Sequence, residues 1–311
     1  MAVRRSDWLF PRSLLADSPS SRDGVTEREE YEIRRKTCMF VEKCAMRFKP
    51  AMPKLTIATA QVFFHRFFSR QSFKAHERLL IAMACLHLAG KVEEAPRKLS
   101  MVAQVYHVTR NKGARPLDQK GEEFQKLKEQ ILIAERVLLH TIAFDLDIDH
   151  PHPHIVQLVT RVRVSDKAKN KELVQSAWHF VNDSLRTNLC LQHEPRDIAC
   201  AAVYLAGKVI DFPQGGDATA DGAAATASAA VGAGDAAAQG AVPCRWAGLF
   251  GIETSKLYDI CTQILELYER QPSMAGVGAS VARLTPGGDG GVGEHEHRDK
   301  RRRLDRESGN A

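Results

Sequence analysis

The residue types best suited to chemistry in this 311-residue chain are histidine, cysteine and clustered basic side chains. HPHPH (150–154) sets three histidines two apart. Histidine is the commonest metal ligand, but interleaved prolines favour an extended link between domains over a metal site. The seven cysteines include no CxxC pair, which argues against a zinc ribbon or a disulfide framework. Cys85, Cys200 and Cys261 fall inside apolar helical patterns and read as small buried hydrophobes in a reducing compartment. No Ser-His-Asp order or P-loop stands out, and LAGKVEE (88–94) lacks the glycine spacing of a phosphate cradle. KRRR (300–303), with Arg298 and Arg306 beside it, suits a nuclear-import address or a nucleic-acid contact, although Asp299, Asp305 and Glu307 dilute it. Arg34, Arg35 and Lys36 read as the wet face of an amphipathic helix. These residues assemble no catalytic set, so the expectation is a non-enzyme with no metal and no cofactor.

The elements that must position these groups announce themselves by an echo. LAGKV occurs at 88–92 and again at 205–209, and AMACLHLAGKV (82–92) agrees with ACAAVYLAGKV (199–209) at seven of eleven positions. The same offset lays Ala60 over Ala177, Phe63 over Phe180, His76 over His193, Glu77 over Glu194 and Ile81 over Ile198. A two-copy repeat of this period is a duplicated structural unit, not a solenoid.

Nearly every regular segment has helical periodicity. Thr26 with Glu29 opens the stretch 26–48 as a capping box. LTIATAQVFFHRFF (55–68) has a wide apolar face. ERLLIAMACLHLAGKV (77–92) is apolar on nearly all sides and is stopped by Pro96, as a central helix should be. Shorter 98–108 and long amphipathic 122–144 complete the first half. The second half repeats the order with 154–162, 171–189, 196–210 and 255–271. Gly90 and Gly207, set among alanines, fit close helix approach. The fold class expected is all-α, two five-helix units each wrapped around its LAGKV helix and joined near 145–153, with Ala89 and Ala206 buried.

The expected domains are an N-terminal extension at 1–25, a first unit at 26–146 and a second at 147–271. Within the second, 213–243 has 19 Ala or Gly among 31 residues and reads as a disordered surface insertion. Residues 272–311 read as a disordered charged tail. A net charge of +6 is mild, and no apolar run approaches the ~18–20 residues of a membrane span. With no signal-like N-terminus, the expectation is a soluble intracellular protein.

Several of these stretches resemble the cyclin fold, and specifically the transcriptional cyclins. FHRFFSRQSF (64–73), LAGKVEEAPRKL (88–99), ERVLLHTIAFDL (135–146) followed by HPH, and WHFVNDSLRTNLCLQHEPRDIA (178–199) are similar to the two boxes of cyclin T, and cyclins K and L share much of the pattern. WLFPRSLLADSPS (8–20) is similar to the element that precedes the first box in that group. The resemblance implies two tandem cyclin-fold units and a non-catalytic, nuclear partner that activates a cyclin-dependent kinase in RNA polymerase II transcription elongation. It implies a heterodimer with that kinase and an indirect association with RNA polymerase II, without membrane binding or direct nucleic-acid contact. It assigns Lys91 and Glu135 as a polar pair reaching the kinase, and Leu88, Val92, Leu139 and Leu146 as the apolar pocket receiving a kinase side chain. Read as residues alone, a lysine and a glutamate beside such leucines form the solvated edge of a helix, and the leucines fit a core equally well. Lys208, in the second LAGKV, has no Glu-Glu after it and reads as an inherited structural position.

The departures narrow the choice. No Met-Arg-Ala-Ile-Leu element, the substrate-docking patch of cell-cycle cyclins, appears in 30–48, which disfavours a mitotic role. RSLL (12–15) matches a degradation-box pattern that is frequent by chance. The lack of an Arg-Ser tail leans away from cyclin L. Two other readings stand beside cyclin T: a cyclin K- or L-type partner of a kinase linked to RNA processing, and a transcription factor IIB-like DNA-binding protein of the same fold.

Overall fold

The computed structural model describes residues 8–162, 166–210 and 245–269. The insertion expected at 213–243 and the tail at 272–311 lie outside these residues, as do Cys244 and the KRRR cluster.

Among the described residues the regular structure is helical throughout. The first unit holds α3 (Glu27–Arg47), α4 (Lys54–Arg70), α5 (Arg78–Val92), α6 (Leu99–Arg110) and α7 (Glu122–Thr141), preceded by two short helices, α1 (Arg12–Ala16) and α2 (Pro19–Arg22). The second holds α8 (His152–Val162), α9 (Lys167–Ser184), a 3₁₀ turn at Leu189–Leu191, α10 (Pro195–Val209), α11 (Arg245–Phe250) and α12 (Thr254–Glu269).

Local chemistry sets these boundaries. The Thr26 side chain accepts from Glu29 N at 3.2 Å while Glu29 Oε2 accepts from Thr26 N at 2.9 Å, so the capping box is complete. Glu77 caps α5 through Leu79 N and Leu80 N. α7 stops at Thr141, short of the expected 144, because Ala143 and Phe144 both take positive φ, where a right-handed helix cannot continue.

Each unit closes around its LAGKV helix. α5 packs against α3, α4, α6 and α7, and every residue from Ile81 to Gly90 is buried. Four phenylalanines of α4 (Phe63, Phe64, Phe67 and Phe68) are fully buried against it. α10 packs against α8, α9 and α12 with Ile198 to Gly207 buried. Ala89 and Ala206 are both fully buried. The two cores are separate clusters, so the repeat is two domains' worth of packing. The second unit's fifth helix is α11, which the sequence pattern did not disclose.

Three expectations change. Gly90 and Gly207 do not admit a neighbouring helix backbone. A Cβ on Gly207 would lie 2.4 Å from the Trp246 ring, and one on Gly90 would lie 3.0 Å from the Met52 methyl and 3.2 Å from the Ala95 carbonyl. Arg34 is not on a wet face: it is 3% exposed, and its guanidinium donates to Glu30 Oε1 and to the Phe68 carbonyl. That face of α3 looks into the protein, and the i,i+4 carboxylate makes burial tolerable. HPHPH is only half a link, since α8 begins at His152. Cys85, Cys200 and Cys261 are buried thiols outside any disulfide, as expected.

The seam between the units is polar and specific. His65, fully buried on α4, donates from Nε2 to the Leu185 carbonyl at 2.9 Å and faces Arg34 with Nδ1 at 3.2 Å. Burial, and then the Arg34 charge, push its pKa down to about 3, so the ring is neutral. Arg186 holds both oxygens of Glu42 at 3.1 and 3.0 Å. The N-terminal segment ties both units together. Trp8 Nε1 donates to Asp145 at 2.6 Å under the guanidiniums of Arg66 and Arg70, Phe10 N donates to the Leu191 carbonyl, and Ser18 donates to Glu30.

Candidate partner-binding site

LAGKV ends in a change of environment. α5 is buried until Gly90, and Lys91 is the first residue of its last turn to reach solvent, with its side chain 45% exposed. Its ammonium donates to both Glu135 oxygens, at 2.7 and 2.8 Å. Glu135 is supplied by α7, and its side chain is only 9% exposed. The pair therefore has an accessible cation above a nearly buried anion. An arrangement of this kind leaves an N–H of the ammonium for an incoming carbonyl or carboxylate while the protein keeps its own carboxylate neutralised.

The surroundings keep the pair dry on its inner side. His87, one turn before Lys91, is buried, and burial pushes its pKa down, with Lys91 acting in the same direction and Glu135 opposing. Leu88 is 5% exposed and belongs to the first core. Val92, Leu139 and Leu146 are half-buried along the edge of that core. Leu88 thus reads as packing, whereas Val92, Leu139 and Leu146 keep surface to offer. Thr59 anchors the next residues: its hydroxyl donates to Glu93 Oε1 at 2.6 Å and accepts from His150 Nε2 at 2.8 Å. Burial, followed by His152, pushes His150 down to about 4, which keeps it neutral.

Two features here escaped the sequence. His150 works as a peg linking α4, the end of α5 and the inter-unit segment; no periodicity marks such a role. Phe144 is 60% exposed with its ring edge-on to His140, an unusual placement for a large aromatic side chain. Its position in a left-handed turn, beyond the helix end, removes it from any helical face.

Lys208 gives the internal contrast. It faces the Tyr204 ring at 5.6 Å, and no carboxylate is bonded to it among the described residues. The histidines of HPHPH turn to separate partners: His150 engages Thr59 and His152 engages Asn182, and no group of three potential ligands occurs among the described residues. No helix among them is long and apolar enough to cross a membrane.

Two helical units of one design, with a lysine–glutamate pair standing at the edge of the first, define the class. Residues 14–147 match the cyclin N-terminal domain and residues 150–214 the cyclin-T2-like C-terminal domain; the chain belongs to the cyclin family. It is 36% identical to Cyclin-T1-5 of Arabidopsis thaliana over 289 residues, covering 91% of this chain and 44% of that protein. It is 34% identical to Cyclin-L1 of Homo sapiens over 271 residues, covering 85% of this chain and 45% of that one. The chain thus spans less than half the length of these relatives. Among solved structures, one described as the yeast RNA Pol II CTD kinase CTDK-1 complex superposes with a TM-score of 0.62 over 97% of this chain and 83% of its own at 15% identity. The yeast TFIIK (Kin28/Ccl1/Tfb3) complex gives 0.55 over 83% and 94% at 17% identity. At these identities the likeness is one of fold.

Proposed function

We propose that this chain is the non-catalytic regulatory subunit of a cyclin-dependent kinase acting in RNA polymerase II transcription elongation, and that it works in the nucleus. The observation that carries the reading is the Lys91–Glu135 pair, an exposed ammonium held bidentately over a nearly buried carboxylate beside half-buried Val92, Leu139 and Leu146. Such an edge can give a kinase helix directed hydrogen bonds and apolar contact together. Pressed against a mobile element of the kinase, it stabilises the conformation that it fits, and activation follows as a shift of population. Relatives named Cyclin-T1 and Cyclin-L1, and neighbours solved as kinase complexes, support the choice of partner class.

The test is reconstitution. The purified chain alone should transfer no phosphate, and the addition of a transcriptional cyclin-dependent kinase should create activity on an RNA polymerase II C-terminal-domain peptide. K91A and E135A should each weaken the complex by about 2–5 kcal/mol, the cost of stripping one partner from a desolvated charged contact. K208A should cost about 0–1 kcal/mol. Equal, negligible losses for all three would reduce Lys91 to a solvated edge, and a loss confined to K208A would put the kinase on the second unit. The relation to human Cyclin-L1 favours a second reading, a kinase linked to RNA processing. Activity on a serine-arginine-rich splicing-factor peptide but not on the C-terminal-domain peptide would select it.

A further inference from the structure

At the far end of α5 from Lys91, a pocket of about 200 Å³ opens between α3, the start of α5 and the end of α6. Its rim carries four cations, Lys36 and Lys43 from α3, Arg78 from α5 and Lys112 just beyond α6, and no acidic side chain lines it. All four are exposed. Their neutralisation is sparse. Lys36 lies 3.4 Å from Glu32, a carboxylate that Arg35 already holds at 3.0 Å, whereas Lys43, Arg78 and Lys112 have no ion pair among the described residues. The acids next to them in sequence are committed elsewhere: Glu42 to Arg186, and Glu77 to the α5 cap, Tyr106 and Arg110.

The floor is apolar. Phe40, set edge-on to Tyr106, and Leu79 are both half-buried there. Thr109 supplies one further polar atom. Its Oγ1 is buried beside the Cys44 thiol, which burial pushes up to about 12 and so keeps neutral. Like charges gathered over an apolar floor repel one another and gain from an anion that bridges them. A phosphate dianion matches this best, because it brings up to two charges and three acceptor oxygens to one point. The size decides between macromolecules. A nucleic-acid backbone needs a basic stripe along several phosphates, whereas a 200 Å³ pocket with four cations at its mouth admits one phosphorylated side chain and an apolar neighbour.

We propose that this pocket is a docking site for a phosphoserine- or phosphothreonine-bearing protein segment, with Lys43, Arg78 and Lys112 on the phosphate, Thr109 within the pocket, and Phe40 and Leu79 beneath the adjoining residue. Arg78 and Lys91 are 13 residues apart on one helix, or about 20 Å, so the site stays free when a partner sits on Lys91 and Glu135. It does not depend on the identity of that partner.

The probe is a fluorescein-labelled degenerate nonapeptide library with a fixed central phosphoserine, titrated into the whole chain by fluorescence polarisation beside its unphosphorylated twin. The phosphorylated library should bind at least tenfold more tightly. R78E and the double variant K43E/K112E, which alter exposed residues on different elements and should melt like the parent, should each abolish that preference. Equal binding of the two libraries overturns the site, as does a preference that survives both variants. A 12-nucleotide RNA that binds more tightly than the phosphopeptide, and loses binding in the same variants, would assign the pocket to nucleic acid and overturn the proposal as well.

Discussion

The two copies of LAGKV allow one substitution to be made twice in different surroundings. Gly→Ala in a helix interior gains about 1 kcal/mol from propensity alone. At Gly207 the new methyl would stand 2.4 Å from the tip of the Trp246 ring and within 3.2 Å of two more of its atoms. That ring cannot swing aside. Trp246 is 4% exposed and is packed edge-on between Tyr204, at 6.1 Å, and Phe250, at 5.6 Å. Overpacking of a filled core costs about 1–3 kcal/mol, and more when a rigid aromatic side chain must move. The net for G207A is a loss of roughly 1–2 kcal/mol. At Gly90 the methyl meets the end of Met52, an unbranched and adaptable side chain, and the Ala95 carbonyl at 3.2 Å. There gain and cost nearly cancel, so G90A should lie within about 1 kcal/mol of the parent.

Thermal unfolding of the two variants beside the parent reads the difference. For units of this size 1 kcal/mol moves the midpoint by a few degrees, so G207A should melt roughly 2–8 °C lower, with altered tryptophan fluorescence, and G90A nearly unchanged. G207A as stable as G90A would mean that Trp246 of α11 does not lie on Gly207, and the packing of the fifth helix described above would fail.

The buried arginine can be tested against its neighbour: R34M leaves Glu30 buried without its partner and should cost about 3 kcal/mol in urea unfolding, whereas K36M, two residues on and exposed, should stay within about 0.5 kcal/mol. Comparable effects would restore Arg34 to a solvated face. Stability should also fall on mild acidification. His65 and His150 are held at about 3 and about 4 when folded, against about 6.5 unfolded, so the unfolded chain takes up protons first as pH drops. Their contribution is complete above pH 6.5 and declines between there and pH 3–4, by roughly 2 kcal/mol each at pH 5. A denaturation midpoint unchanged between pH 7.5 and pH 5 would refute the neutral, buried assignment.

What the sequence disclosed follows from where the physics is local. The capping box at Thr26 and Glu29 is complete within four residues, and the all-apolar α5 needs no partner to be recognised as central. The misses were matters of distance or length. Trp8 meets Asp145 across 137 positions, so the role of the N-terminal segment as a tie between units is invisible to any window. α11 has six residues, too few for a helical period to show. Periodicity places Arg34 on a wet face because it treats arginine as polar and cannot see the carboxylate, carbonyl and imidazole that receive it.

The repeat itself outlasts the burial that the two copies share. Between Ile81 and Gly90, and between Ile198 and Gly207, every residue is buried, and the copies agree at six of ten positions. One residue later the full burial ends, although Lys and Val still match. Lys91 meets the Glu135 carboxylate presented by α7, while Lys208 meets the face of Tyr204 and, among the described residues, no carboxylate. The same ammonium on the same turn of the same pentapeptide thus becomes half of a bidentate pair in one unit and, among the described residues, a half-buried charge set against a tyrosine ring in the other. The difference lies in the helix packed beside each copy, so a binding edge could arise on the first unit without disturbing the core that both copies share.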